Sequence, residues 1–179
     1  PQLALDIALS LIMGVIAWCV RAAAADQFVT WDEPAWVYRS VKFLLALQQG
    51  DLAGASLVGH PGVTVMWSGA LSLLWHIKVS GMVLAEQVLA IGAWPTLDVH
   101  DPAAIRQLVA LLPIAKEGIL FFHALITMAC YWLLARLLGR IYALISSLLL
   151  LLDPYYLGLA RVLHMDALAS GLMLCAVAS

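Results

Sequence analysis

Apolar residues run almost without a break over residues 3–25, interrupted by Asp6 and followed, after Arg21, by a string of alanines. At ~1.5 Å per residue a helix of that length crosses the ~30 Å hydrocarbon layer of a bilayer, so the pattern predicts a first span over about 3–25. Further apolar runs predict spans over about 115–138, 140–156 and 166–179. The third run is apolar to Leu152 and reaches the far interface only by continuing through Asp153, Pro154, Tyr155 and Tyr156, where tyrosines commonly sit. Arg136 and Arg140 crowd the short connection between the second and third spans, and basic loops tend to stay cytoplasmic. That places the long segment 26–114, and residues 153–166, on the outer side.

Between the first and second spans the pattern is mixed. Glu33–Gln49 carries Val37, Val41, Leu44 and Leu45 at helical spacing, with Arg39 and Lys42 on the opposite flank. Thr30 or Asp32 can cap this helix, Pro34 suits its first turn and Gly50 stands where it would stop. The expected element is an interfacial helix lying flat on the membrane. Residues 63–77 are apolar except for Thr64, Ser68, Ser72 and His76, which recur every fourth position and form a polar stripe. Their helical length of roughly 22 Å falls short of a full crossing, and a crossing here would move the 136–140 loop outside. A partly embedded or re-entrant helix is expected. Residues 79–105 are rich in turn formers around one short apolar helix, and Asp101-Pro102 opens another helix toward Arg106 and Leu112.

Composition agrees with a bilayer protein. The chain has 179 residues, 64% hydrophobic and 11% charged, with a mean hydropathy of +0.98, which excludes intrinsic disorder. Nine Lys and Arg against eleven Asp and Glu give a net charge of −2, without the basic stripe that nucleic-acid binding requires. Cys19, Cys130 and Cys175 lie in apolar runs and pass as small hydrophobes. A cleaved leader is the rival reading of residues 3–25, although no basic head precedes the apolar run. Opening on Pro1 and stopping at Ser179 inside an apolar run, the chain reads as a piece of a longer protein. The fold class expected is all-α: a polytopic membrane helical bundle, residues 1–179 forming part of a single transmembrane domain, with interfacial or re-entrant helices in a long first extracytoplasmic loop.

Polar groups at membrane depth are costly, so those beside spans are candidates for chemistry. They gather in three places. Trp31-Asp32-Glu33-Pro34 follows the first span, and an acidic pair at a helix start is most often a cap that complements the dipole. Gly59-His60-Pro61-Gly62 holds an imidazole at the mouth of the striped segment, where a plain loop turn is the alternative. Asp153-Pro154-Tyr155-Tyr156 leads to Arg161, His164 and Asp166, which as a group could equally be a salt-bridged helix end. By the topology above all three face the same side, which suits a substrate with an oily tail and an anionic head.

A spanning helix, an Asp32-Glu33 pair, a His60-Pro61 turn and an Asp153-Pro154-aromatic stretch with Arg161-x-x-His164-x-Asp166-Ala167-Leu168 together resemble the N-terminal third of GT-C membrane glycosyltransferases. The specific likeness is to the bacterial relatives of protein O-mannosyltransferases and aminoarabinose transferases, glycosyltransferase family 39, and it covers residues 25–168. Leu111-Leu112-Pro113 stands where relatives carry Arg-Leu-Pro, and Lys116-Glu117 where they are apolar.

The resemblance implies an integral, multi-pass protein of the bacterial plasma membrane. It implies transfer of a sugar from a polyprenyl-phosphate donor, among membrane lipid, to a protein or glycolipid acceptor on the outer face, with no part for nucleic acid. Asp32 and Glu33 would be the catalytic pair, and His60, Arg161, His164 and Asp166 would bind substrate. A sugar on a polyprenyl phosphate has a good leaving group and chiefly needs a base for the acceptor hydroxyl, the role expected of Asp32. One carboxylate opposite the departing phosphate gives inversion. Arg161, with His60 or His164, would stabilise the phosphate, and Glu33 and Asp166 would orient. A divalent metal ion held by Glu33 and His60 is compatible with the residue types, but no ligand spacing demands it. Two other readings stand beside this one. A transporter or flippase would use Asp32, Lys116, Glu117 and Asp166 as a charged path, and a non-catalytic scaffold would bind lipid-linked sugar.

Overall fold

A computed structural model describes residues 2–27, 29–57, 62–80 and 101–179. Among the described residues every regular element is helical: α1 (Gln2–Ala22), α2 (Glu33–Gln49), α3 (Val63–Trp75), a π-helical turn (His76–Ser80), α4 (Pro102–Leu138), α5 (Arg140–Leu152), α6 (Pro154–Leu159) and α7 (Met165–Ala178). Two of them have the length and apolarity to cross a membrane, α1 and the stretch Ile105–Leu138 of α4. The chain divides into two compact units. The first comprises Pro1–Ala24, Leu120–Arg161 and Asp166–Ser179, and the second Ala25–Ile119 and Val162–Met165.

In the first unit α1 packs through Ser10, Met13, Gly14 and Ala17. Met13 meets Tyr131 and Ala143, and Ala17 meets Ala124 and Leu151. Gly14 allows the close approach, since a Cβ there would crowd the Met128 side chain. At one end Asp6 binds Arg140 through Nε at 2.6 Å and Nη2 at 3.1 Å, and accepts the Tyr131 hydroxyl at 3.2 Å. The outward face of α1 is apolar, with Leu3, Ile7, Leu11 and Val15 exposed at four-residue spacing. On α5, Ile141, Ile145, Leu149 and Leu152 are exposed likewise. Contiguous apolar surface on this scale is what a lipid-facing helix presents and a water-facing one avoids.

The second unit is built on α2 against α3. Ser40 fits under Gly69, Trp36 covers Gly62, and Phe43 meets Trp67 edge-on at 5.0 Å. α2 keeps its expected bounds. Pro34 lies in its first turn, and Gly50 (φ 71°) closes it, its N–H turned back to Leu47 O. The expected cap does not form: Asp32 makes no side-chain capping bond and Thr30 Oγ1 is buried without a partner. The Glu33 carboxylate instead reaches back to the Thr30 N–H at 2.7 Å, the acidic half of a capping box.

The stripe on α3 faces protein. Ser68, Ser72 and His76 are buried while Thr64 is exposed; Ser68 Oγ donates to Val65 O, Ser72 Oγ donates to Ile114 O at 2.6 Å, and His76 meets Glu117 at 2.6 Å. The opposite face exposes Val63, Trp67, Leu71 and Trp75, with Val79 beyond. A helix with its hydroxyls inward and its tryptophans outward is inverted relative to a water-soluble surface helix.

Two expected boundaries move. The helix opened by Asp101-Pro102 does not stop ahead of the predicted span but runs through Pro113 as one element to Leu138. An internal proline costs about 3 kcal/mol, and burial of Leu111, Leu112, Ala115 and Ile119 around it offsets that. Conversely the third apolar run does not continue unbroken to residue 156. It ends at Leu152 because Pro154 holds Asp153 extended (ψ 119°), and Asp153 Oδ1 then caps α6 by accepting the Tyr156 N–H at 2.7 Å.

Candidate functional site

The second unit brings Asp32, Glu33 and His164 together. Glu33 opens α2 with its carboxylate 0% exposed. Lys116, on α4 and 2% exposed, places Nζ 2.8 Å from Glu33 Oε1 and also donates to Ala25 O at 2.9 Å. The backbone N–H of Leu163 donates to the same Oε1 at 2.9 Å, while Oε2 accepts from Thr30. One buried ion pair thus ties the start of α2, the segment at Ala25, helix α4 and the bend at 162–164. Two charges leave water at a cost of several kcal/mol each, recovered only where geometry and extra hydrogen bonds are good. Here both carboxylate oxygens are filled.

Above that pair the environment changes. Consecutive helical residues project about 100° apart, so with Glu33 inward Asp32 points outward, its side chain 65% exposed. His164, 23% exposed, holds Nε2 3.8 Å from Asp32 Oδ2 and stands edge-on to the buried Trp36 ring at 6.0 Å. The separation exceeds a hydrogen bond, so the coupling is electrostatic and depends on imidazole protonation. The result is an accessible carboxylate beside an imidazole, carried on a framework fixed by Glu33 and Lys116.

The remaining expected site residues fall elsewhere. Arg161 belongs to the first unit, where Nη2 donates to Val20 O at 2.7 Å. Asp166 is also in that unit, exposed in the first turn of α7, its carbonyl accepting Ser170 Oγ. His60 lies outside the described residues. A divalent ion at Glu33 fits poorly, because Lys116 and two N–H donors already fill its oxygens. Among the described residues no three His, Cys, Asp or Glu side chains gather as metal ligands.

Lys116 is the member whose role sequence reasoning missed. Lys116-Glu117 is visible as a charged dipeptide in an apolar helix, and neighbouring positions must project in different directions. The structure uses both, Lys116 toward Glu33 and Glu117 toward His76. The signal available was complementarity: a polar stripe ending in His76 and an acid at Glu33 each require a buried partner. No protein-family model, curated protein or solved structure matches the chain.

Proposed function

We propose that this chain carries the first helices and first large outer loop of a multi-pass GT-C-type glycosyltransferase, and that Asp32 is the base that activates the acceptor hydroxyl. The observation carrying the proposal is the division of labour between adjacent acids, Glu33 sealed in an ion pair and Asp32 exposed beside His164. A base must reach its substrate, and a carboxylate on a rigid helix start with an adjacent imidazole has the exposure and the positioning for it. The order of motifs from Asp32-Glu33 to Arg161-x-x-His164 supports the family, and the apolar outward faces of α1, α3 and α5 support a bilayer as the solvent.

In the proposed reaction Asp32 takes the proton of an acceptor hydroxyl on a protein or glycolipid. The freed oxygen attacks the anomeric carbon of a polyprenyl-phosphate sugar, and the electron pair of the breaking carbon–oxygen bond leaves on the phosphate. Attack opposite the leaving group inverts the anomeric centre. His164, beside Asp32 in the same unit, is placed to meet the charge that grows on the phosphate. Residues 26–114 and 153–166 face the outside of a bacterial plasma membrane in this reading. The partnering of Lys116 with Glu33 and of Glu117 with His76 favours the enzyme over a transporter, whose path would need those charges open to an ion.

Asp32→Asn in the full-length protein, assayed with a radiolabelled polyprenyl-phosphate sugar, is expected to lower transfer by roughly 10²–10⁴-fold while the protein stays in the membrane. Near-normal transfer removes Asp32 from the role of base.

A further inference from the structure

The first unit holds two thiols that glycosyl transfer does not call on. Cys130, on α4, is 1% exposed, and Cys175, on α7, is half-buried. Their sulfurs stand 3.3 Å apart, although 45 positions separate them in the chain. The third thiol, Cys19 on α1, is exposed. Along the sequence each cysteine passes as a small hydrophobe, but a small hydrophobe has no need to meet another sulfur to sulfur.

Backbone packing sets that meeting. Gly171 lies one turn ahead of Cys175 on α7, and Ile126 one turn ahead of Cys130 on α4. A Cβ at Gly171 would stand 2.8 Å from Ile126 Cγ2 and 2.7 Å from the Tyr156 hydroxyl, so the missing side chain is what lets α7 come this close to α4. With 126 against 171 and 130 against 175, the two helices run the same way through the contact, and Cys175 Sγ also points back toward Ile126 O at 3.9 Å. Close backbones are what a disulfide requires, its two Cβ atoms being only about 3.8 Å apart. From 3.3 Å the sulfurs have about 1.3 Å to close before they reach bonding length, a movement on the scale of a side-chain rotation and not of a helix.

We propose that Cys130 and Cys175 form a redox-modification site, at which a lipid hydroperoxide converts the thiol pair into a disulfide joining α4 to α7. Cys175 meets the oxidant, because it is the less buried sulfur and its helix exposes the apolar Leu172, Met173 and Val177. Its sulfur attacks the outer oxygen of the peroxide. The oxygen–oxygen bond breaks, the thiol proton passes to the departing alkoxide, and a sulfenic acid and an alcohol result. The Cys130 sulfur then attacks the Cys175 sulfur. The sulfur–oxygen bond breaks, and the hydroxyl leaves with the Cys130 proton as water. The two thiols give up two electrons in all, and the peroxide accepts them. A sulfenic acid in contact with a resolving thiol goes on to a disulfide, which a thiol reductant reopens, and is spared the irreversible step to sulfinic acid. The site follows from the packing of the first unit and is independent of glycosyl transfer; only the lipid solubility of the oxidant rests on the bilayer reading.

The test treats the reduced, purified full-length protein in detergent with cumene hydroperoxide and reads its peptides by mass spectrometry. A cross-linked pair of peptides carrying Cys130 and Cys175, lighter by two hydrogens than the two free peptides and separated by a thiol reductant, is the expected main product at these positions. Cys130→Ser should leave Cys175 as a sulfenic acid that dimedone traps, and Cys175→Ser should leave Cys130 unmodified. Cys19→Ser should form the bridge as the wild type does. Oxidation should raise the melting temperature of the wild type by several degrees through the closed loop, a rise that either Cys130→Ser or Cys175→Ser abolishes. Sulfinic acids at both positions with no bridge, a bridge from either position to Cys19, or a pair that stays reduced at peroxide sufficient to oxidise the exposed Cys19, would each overturn the proposal.

Discussion

Each unit buries cationic side chains, and the two solve the problem differently. In the second, Lys116 faces Glu33 and both carboxylate oxygens of Glu33 are filled. In the first, Arg21 and Arg161 lean on helix carbonyls and leave three guanidinium nitrogens without acceptors. A pair that neutralises itself spends its interactions on holding segments together and has little left for a ligand. An unmatched pair is a poor fastener. The same contrast recurs at smaller scale between neighbours, Glu33 enclosed and Asp32 open.

The sharpest way to break the comparison is to remove one cation from each centre and compare melting in lipid-free detergent. Lys116→Ala leaves a buried carboxylate alone and is expected to cost about 3–5 kcal/mol. The double variant Glu33→Leu with Lys116→Met should recover most of that loss, because an apolar pair of similar volume carries no desolvation penalty. Arg21→Met should behave oppositely, leaving stability within about 1 kcal/mol of the wild type or raising it, since it removes an uncompensated buried charge at the loss of one hydrogen bond to Ala17 O and a weak contact with Tyr156. A loss at Arg21 as large as that at Lys116 would dissolve the distinction.

Local signals were legible where chemistry is local. Pro34 and Gly50 mark the ends of α2 in the sequence as in the structure, and the four-residue recurrence of Ser68, Ser72 and His76 marks a face of α3. Which way that face turns was not legible, because amphipathicity gives a direction only once the solvent on each side is known. The helix expected toward Leu112 and the span expected from about 115 are one element through Pro113, held by packing around Leu112 and Ala115. The candidate site was legible as residue types, with Asp32, Glu33 and His164 named from their motifs. Its wiring was not: the Glu33–Lys116 pair and the Leu163 N–H bond join positions far apart in the chain, and nothing in local spacing encodes such pairings.

The most direct measurement sets the adjacent acids against each other in the full-length protein, recording melting temperature and sugar transfer for Asp32→Asn and Glu33→Gln. Asp32→Asn is expected to melt like the wild type and lose transfer, while Glu33→Gln melts several degrees lower. An Asp32→Asn protein that melts early, or a Glu33→Gln protein that melts normally and alone loses transfer, would contradict the assignment of Glu33 to the framework and Asp32 to the chemistry.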